Sequence, residues 1–177
     1  RQRQMCIRDR ECTTNIINRL LKHSDGNVYA FCNRSVFKCS MNQTVETVFP
    51  DIAIPSPTYS VAQAPDKDIY IGTESNGLYI YSENWKLKKH VPIDGIIATI
   101  LPDNNGDIWL GLDETGICLF NKNKQTFTWL HKDNTNLNNN SIRTFVSYGD
   151  SSILVGTFRG LNILNKKELT ITPANIN

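Results

Sequence analysis

Ile69-Tyr70-Ile71-Gly72-Thr73, Ile108-Trp109-Leu110-Gly111-Leu112 and Ile153-Leu154-Val155-Gly156-Thr157 are one pattern written three times. Each is followed by a short polar turn that closes on glycine (Gly77, Gly116, Gly160) and then by a second apolar run. The pattern glycines Gly72, Gly111 and Gly156 stand 39 and 45 residues apart. A period near forty carried by short strands marks a repeat whose units cannot bury their apolar faces alone and must stack on one another.

The pattern extends upstream. Eight residues before the start of each core strand stand Val61, Ile100 and Phe145; eleven before stand Ile97 and Ile142, with Thr58 the exception. An earlier unit aligns on Val28, which brings Leu20 and Ile17 into the same places. Each unit therefore opens with an apolar strand A and continues through a turn rich in Asp, Asn, Gly or Pro, such as Asp103-Asn104-Asn105-Gly106-Asp107. These residues suit tight turns through tolerance of positive φ, a preset φ or side-chain capping. Strand B is the core strand, and a hairpin closing on glycine leads to strand C at Leu78–Tyr81, Ile117–Phe120 and Leu161–Leu164. A more polar strand D follows at Leu87–Val91, Thr126–His131 and Glu168–Thr172.

Strand B is apolar on both faces, so it needs cover on both sides. Strand D alternates, as in Thr126-Phe127-Thr128-Trp129, which fits an outer edge. Four-stranded units that cover one another face to face are the blades of a β-propeller. The expected fold is all-β: about four blades of four-stranded antiparallel sheet forming an open arc, with blades at about 14–53, 54–93, 94–138 and 139–177. Four is the lower end of the four to eight blades that close a propeller, so apolar faces are expected to be exposed at both ends of the arc. The first unit departs from the pattern. Phe31 takes the place of the core-strand glycine and Ser35 that of the turn glycine.

Residues 1–10 are read as foreign to the protein. Met5-Cys6-Ile7-Arg8-Asp9 translates ATG-TGT-ATA-AGA-GAC, which resembles the transposase end of a sequencing adapter. The frame is accordingly expected to be truncated. Without its four Arg and one Asp the formal charge of +2 becomes −1, so basicity gives no case for a nucleic-acid partner. No stretch approaches the ~20 apolar residues of a membrane span, and any anchor is expected outside these residues. Cys12, Cys32, Cys39 and Cys118 follow no metal spacing and read as small buried side chains.

The blades resemble the two-component regulator propeller repeat, found in the periplasmic sensor region of hybrid two-component histidine kinases. The resemblance rests on Asn105-Gly106-Asp107-Ile108-Trp109-Leu110-Gly111 with Gly116-Ile117, on Gly156-Thr157 with Gly160-Leu161-Asn162, and on the Asn-rich link Asn134–Arg143. It covers about residues 14–177, with Tyr70 and Leu154 where the family has Trp. It implies a periplasmic sensor for an oligosaccharide or other small ligand, completed by further blades of the same chain.

The residues themselves favour binding over catalysis. His23, His90 and His131 form no recognisable triad, and the turn carboxylates Asp66, Asp68, Asp103, Asp107 and Asp150 read as turn chemistry ahead of calcium ligation. Strand A offers Arg19, Ser60, Gln63, Thr99 and Thr144, which can hydrogen-bond a ligand but supply little acid–base capacity. No cofactor is expected. The B-to-C turns and the inter-blade links share one face, where Arg34, Glu74, Asn76, Asp113, Glu114, Phe158 and Arg159 are the ligand-binding candidates; Trp85 falls on the opposite face. Two alternatives stay in play: an enzymatic propeller of lyase or lactonase type, and a protein-interaction propeller.

Overall fold

The computed structural model describes residues 16–32, 35–40, 42, 44–47 and 56–174. Residues 1–10, Cys12 and Arg34 lie outside the described residues. Each of the four units forms one antiparallel meander. The first runs β1 (Arg19–Lys22), β2 (Val28–Phe31), β3 (Val36–Cys39) and β4 (Val45–Thr47). The second runs β5 (Thr58–Gln63), β6 (Ile69–Thr73), β7 (Leu78–Tyr81) and β8 (Leu87–Val91). The third is β9 (Ile97–Pro102), β10 (Asp107–Leu112), β11 (Gly116–Asn121) and β12 (Thr126–Leu130). The fourth is β13 (Ile142–Tyr148), β14 (Ser152–Thr157), β15 (Gly160–Asn165) and β16 (Ile171–Pro173).

The blades pack in chain order, with β1, β5, β9 and β13 side by side along the inside of the arc, and the arc does not close. The irregular first unit is a full blade. Phe31 is completely buried and packs in one apolar cluster with Tyr29, Val36, Ile69, Ile71 and Tyr81, which joins the first blade to the second. Trp85, in the turn between β7 and β8, packs against that cluster and stacks on His23 of the first blade at 5.5 Å between ring centroids.

The core strands behave as two-faced strands must. In β10, Ile108 and Leu110 join the cluster shared with the second blade, while Trp109 joins the cluster shared with the fourth. Tyr70 and Trp109 hold equivalent positions, and both are sealed by the blade that follows. Cys118 lies in the second-to-third junction, where burial pushes its thiol up to about 12.

The glycines of the core strands are places of close approach. A Cβ on Gly111 would stand 2.5 Å from Ile142 Cγ2 and 2.6 Å from Thr99 Cγ2; one on Gly72 would stand 2.7 Å from Ile97 Cγ2. The first residue of each blade's inner strand thus lies over the glycine of the blade before, which explains glycine inside a strand. Where Phe31 replaces glycine, the corresponding residue of the next blade is Thr58 rather than Ile. The hairpin glycines Gly77, Gly116 and Gly160 all have positive φ, as the tight B-to-C turns require.

The fourth blade ends differently from the expectation of a strand over Glu168–Thr172. Asn165 Oδ1 accepts from the backbone of Lys167 and Glu168, and Leu169 has φ 56°, so the chain is still turning there and β16 begins only at Ile171.

Candidate functional site

The sequence makes one face from the B-to-C turns and the inter-blade links. The geometry of that face comes from a bulge repeated at the start of the inner strand. In β5, Thr58 and Ser60 pair with Thr73 and Gly72, leaving Tyr59 as an extra residue. In β9 the extra residue is Ala98, and in β13 it is Arg143. A bulge bends its strand and re-aims the extra side chain; Ala98 stays buried, whereas the larger Tyr59 and Arg143 turn toward the surface. Tyr59 and Arg143 are accordingly exposed, whereas Thr58, Ile97 and Ile142 beside them are buried.

Two clusters result. The first is a cleft of about 510 Å³ between the first and second blades, walled by Ile17, Asn18, Arg19, Pro57, Tyr59 and Glu74. Asn18 aligns with the bulge position of the other blades, and its carbonyl accepts from Arg19 Nη1 at 2.7 Å. Glu74 is held in place by its backbone N–H, which donates to Pro57 O at 3.0 Å. A half-exposed phenol, a guanidinium, an amide and a carboxylate thus surround one opening. The second cluster joins the third and fourth blades. Arg143 donates to Asp113 Oδ2 at 3.2 Å, and its guanidinium lies 5.4 Å from the centre of the Phe158 ring.

The sequence-predicted residues divide accordingly. Glu74 lines the first cleft. Asp113 and Phe158 meet through Arg143, so the cation over Phe158 is Arg143 and not its neighbour Arg159. Arg159 and Glu114 are exposed at the turn tips, Glu114 with φ 66°. Asn76 is engaged in holding its own turn: its amide donates to Tyr79 Oη at 2.8 Å and its carbonyl meets His90 Nε2 at 2.6 Å. Arg34 lies outside the described residues. Among the polar residues of the inner strands, Ser60 donates to Ile97 O and Gln63 to Lys67 O, while Arg19 reaches the cleft. Tyr59 and Arg143 escaped the sequence reading because a bulge leaves no mark of its own in the residue pattern. The one available hint is that both directly follow the buried first residue of the strand.

The opposite face is a clasp. Lys122 Nζ lies 2.5 Å from Asp66 Oδ2 and 2.5 Å from Asp68 Oδ2, and Lys88 Nζ lies 2.7 Å from Asp68 Oδ2. The third blade is thereby tied to the turn of the second, and Lys166 to Asp103 at 3.0 Å ties the fourth to the third. Burial would raise the Asp66 carboxyl, but Lys122 holds it below its ordinary value. Burial likewise opposes the charge on Lys122, and Asp66 and Asp68 outweigh it, leaving the ammonium above its usual range. The turn carboxylates Asp66, Asp68 and Asp103 therefore pair with lysines of the following blade.

No protein-family model matches the chain, and no curated protein matches it in sequence. Solved structures do. The extracellular domain of the putative hybrid two component system BT4673 from B. thetaiotaomicron superposes with a TM-score of 0.77 at 18% identity over 92% of this chain and 22% of that one. The corresponding domain of the putative hybrid two component system BT3049 gives 0.72 at 15% identity over 91% of this chain and 25% of that one. Virginiamycin B lyase from Staphylococcus aureus gives 0.67 at 16% identity over 89% of this chain and 54% of that one. The chain spans about a quarter or less of the length of the two sensor structures. What it shares with them is the fold: four consecutive propeller blades, of the kind found in the extracellular domains of putative hybrid two-component systems.

Proposed function

We propose that the chain is part of an extracytoplasmic, ligand-sensing propeller of a hybrid two-component regulator, and that it binds an oligosaccharide on the face of the B-to-C turns. The observation that carries this reading is the cleft between the first two blades. Tyr59 offers an aromatic surface for the apolar face of a sugar ring. Arg19, Asn18 and Glu74 offer the planar donors and acceptors that hydroxyl groups need. The guanidinium and the carboxylate offset each other's charge, which suits a neutral glycan better than a polyanion. The pair Arg143–Phe158 extends the surface across the arc. Periplasmic placement follows from the same reading.

The exposed outer face of the fourth blade fits a further blade of the same chain. Leu154 occupies the place that Tyr70 and Trp109 occupy in the second and third blades, yet it is only partly buried.

The likeness to virginiamycin B lyase favours a second, enzymatic reading. Ser60 and Gln63 argue against it, because each is committed to a backbone carbonyl. The test is calorimetric titration of the chain with a panel of neutral and acidic oligosaccharides. Saturable binding to a neutral member, lost in Tyr59→Ala and Glu74→Gln with an unchanged circular dichroism spectrum, is expected. Binding that survives both substitutions, or turnover of the bound compound, would overturn the reading.

A further inference from the structure

Two aromatic rings stand exposed on the outer strand of the third blade. Phe127 and Trp129 are 43% and 37% exposed, whereas Ile171, which holds the place of Phe127 in the fourth blade, is 2% exposed. The exposure does not serve strand pairing. Asn134 Nδ2 donates to Trp129 O at 2.9 Å and Asn134 Oδ1 accepts from the backbone N–H of His131 at 2.8 Å, so the main-chain edge beside Trp129 is capped. The rings themselves line a groove of about 350 Å³ with Pro92, Ile93, Asp94 and Thr115. That volume lies in the range of small-molecule sites. Asp94 belongs to the link between the second and third blades and Thr115 to a B-to-C turn, so the groove opens on the face proposed above to bind an oligosaccharide.

We propose that this groove is a second sugar subsite, which seats an uncharged pyranose ring on Trp129 and Phe127 and hydrogen-bonds its hydroxyl groups through Asp94 and Thr115. The inference rests on the sugar-binding reading of this face and adds a site one blade junction away from the first cleft. Side chains two residues apart on one side of a strand stand about 7 Å apart, so the rings form a platform rather than a single stacking point. Phe127 is fixed there by Phe120, on which it stacks at 5.0 Å between centroids with 20° between planes. Gly95, the residue after Asp94, has φ 97° and folds the link against the turn: a Cβ on it would stand 3.5 Å from Thr115 Oγ1. The link that carries Asp94 is thereby held beside Thr115.

Charge selects among the occupants. Asp94 makes no ion pair and no hydrogen bond among the described residues, so an anion in the groove would meet an uncompensated carboxylate. The Lys89 ammonium lies 5.8 Å from the centre of the Phe120 ring, on which Phe127 stacks, so a cation would meet like charge. A wholly apolar ligand would cover the Asp94 carboxylate and the Thr115 hydroxyl without pairing them, which is costly. A neutral pyranose has what remains: an apolar face for the rings, and hydroxyl groups to donate to the carboxylate.

The test is titration of the full 177-residue chain with cellobiose and with maltose, followed by amide-resolved NMR. The expected result is a set of saturable shifts at the Trp129 indole and at the amides of Gly95 and Thr115, with millimolar half-saturation, while the buried Trp109 indole stays in place. Trp129→Ala removes the shifts at Gly95 and Thr115. Asp94→Asn weakens binding by roughly tenfold, as the loss of a charge-assisted hydrogen bond does. Both residues are exposed, so resonances unchanged elsewhere show that each variant is folded. The amides of Tyr59 and Glu74 report the first cleft in the same spectra, so a failure of either site is seen separately from the other. No groove shift with either sugar, shifts confined to the first cleft, groove shifts that survive Trp129→Ala, or tighter binding of choline or glucuronate than of cellobiose would overturn the proposal.

Discussion

Trp109 and Leu154 occupy the same place in consecutive blades, and they have opposite fates. Trp109 is 1% exposed, sealed beneath the fourth blade with Ile117, Leu130, Ile142 and Phe145. Leu154 is only partly buried, and Val146 and Tyr148 on the same face are 55% and 58% exposed. The two strands have nearly the same apolar content, so the difference does not arise within the blade. It arises from the neighbour. A blade of this kind has a core only where another blade lies against it, and the turn clasps repeat the lesson: Lys122 of the third blade secures the second blade's turn.

The sharpest way to break this contrast is to empty both places. Trp109→Ala should lower the unfolding free energy by about 3–5 kcal/mol, the range for deleting a large buried aromatic side chain. Leu154→Ala should cost clearly less, about 1 kcal/mol, because the side chain is already partly exposed to water. Urea denaturation followed by circular dichroism measures both, and comparable losses would mean that the fourth blade is covered after all.

The core-strand glycines give the next contrast. Gly111→Ala drives a methyl group into Ile142 and Thr99 and should cost about 1–3 kcal/mol, as overpacking does. At Gly156 a Cβ meets Thr144 Cγ2 at 2.8 Å, but Thr144 is exposed and free to turn aside, so Gly156→Ala should cost less than Gly111→Ala, about 1 kcal/mol at most.

The clasp comes third. Lys122→Met should cost about 1–2 kcal/mol at neutral pH, since Lys88 still holds Asp68. Asp66 is held below its ordinary pKa, so its contribution is complete above the usual carboxylate range near 4 and fades as pH falls through the folded-state value. The difference between wild type and Lys122→Met in thermal melts should therefore narrow in acid, and a gap that widens would reverse the assigned sign. Smallest of all, Leu154→Lys should change stability by less than about 0.5 kcal/mol while raising solubility, read as the concentration at which light scattering appears.

The repeat was legible in the sequence because apolar strands that need cover on both sides leave a two-faced pattern, as in Ile108-Trp109-Leu110. Even the irregular first unit folds as a blade, since Phe31 fills volume where the others need room for a neighbour's Ile. The candidate site was harder to see. Glu74, Asp113 and Phe158 are candidates from their place in the turns, but the side chains beside them, Tyr59 and Arg143, are placed by bulges. A bulge is a property of strand pairing and has no composition of its own. The lysine clasps were missed for a related reason. Asp66 and Asp68 read as ordinary turn residues, and their partner Lys122 stands more than fifty residues away.

Native-state hydrogen exchange resolved by amide tests the dependence of each blade on its successor most directly. If the neighbour supplies the core, the amides of β10 and β11 exchange only with global unfolding, while those of β15 and β16 open at a distinctly lower free energy. Equal protection across the third and fourth blades would contradict this account.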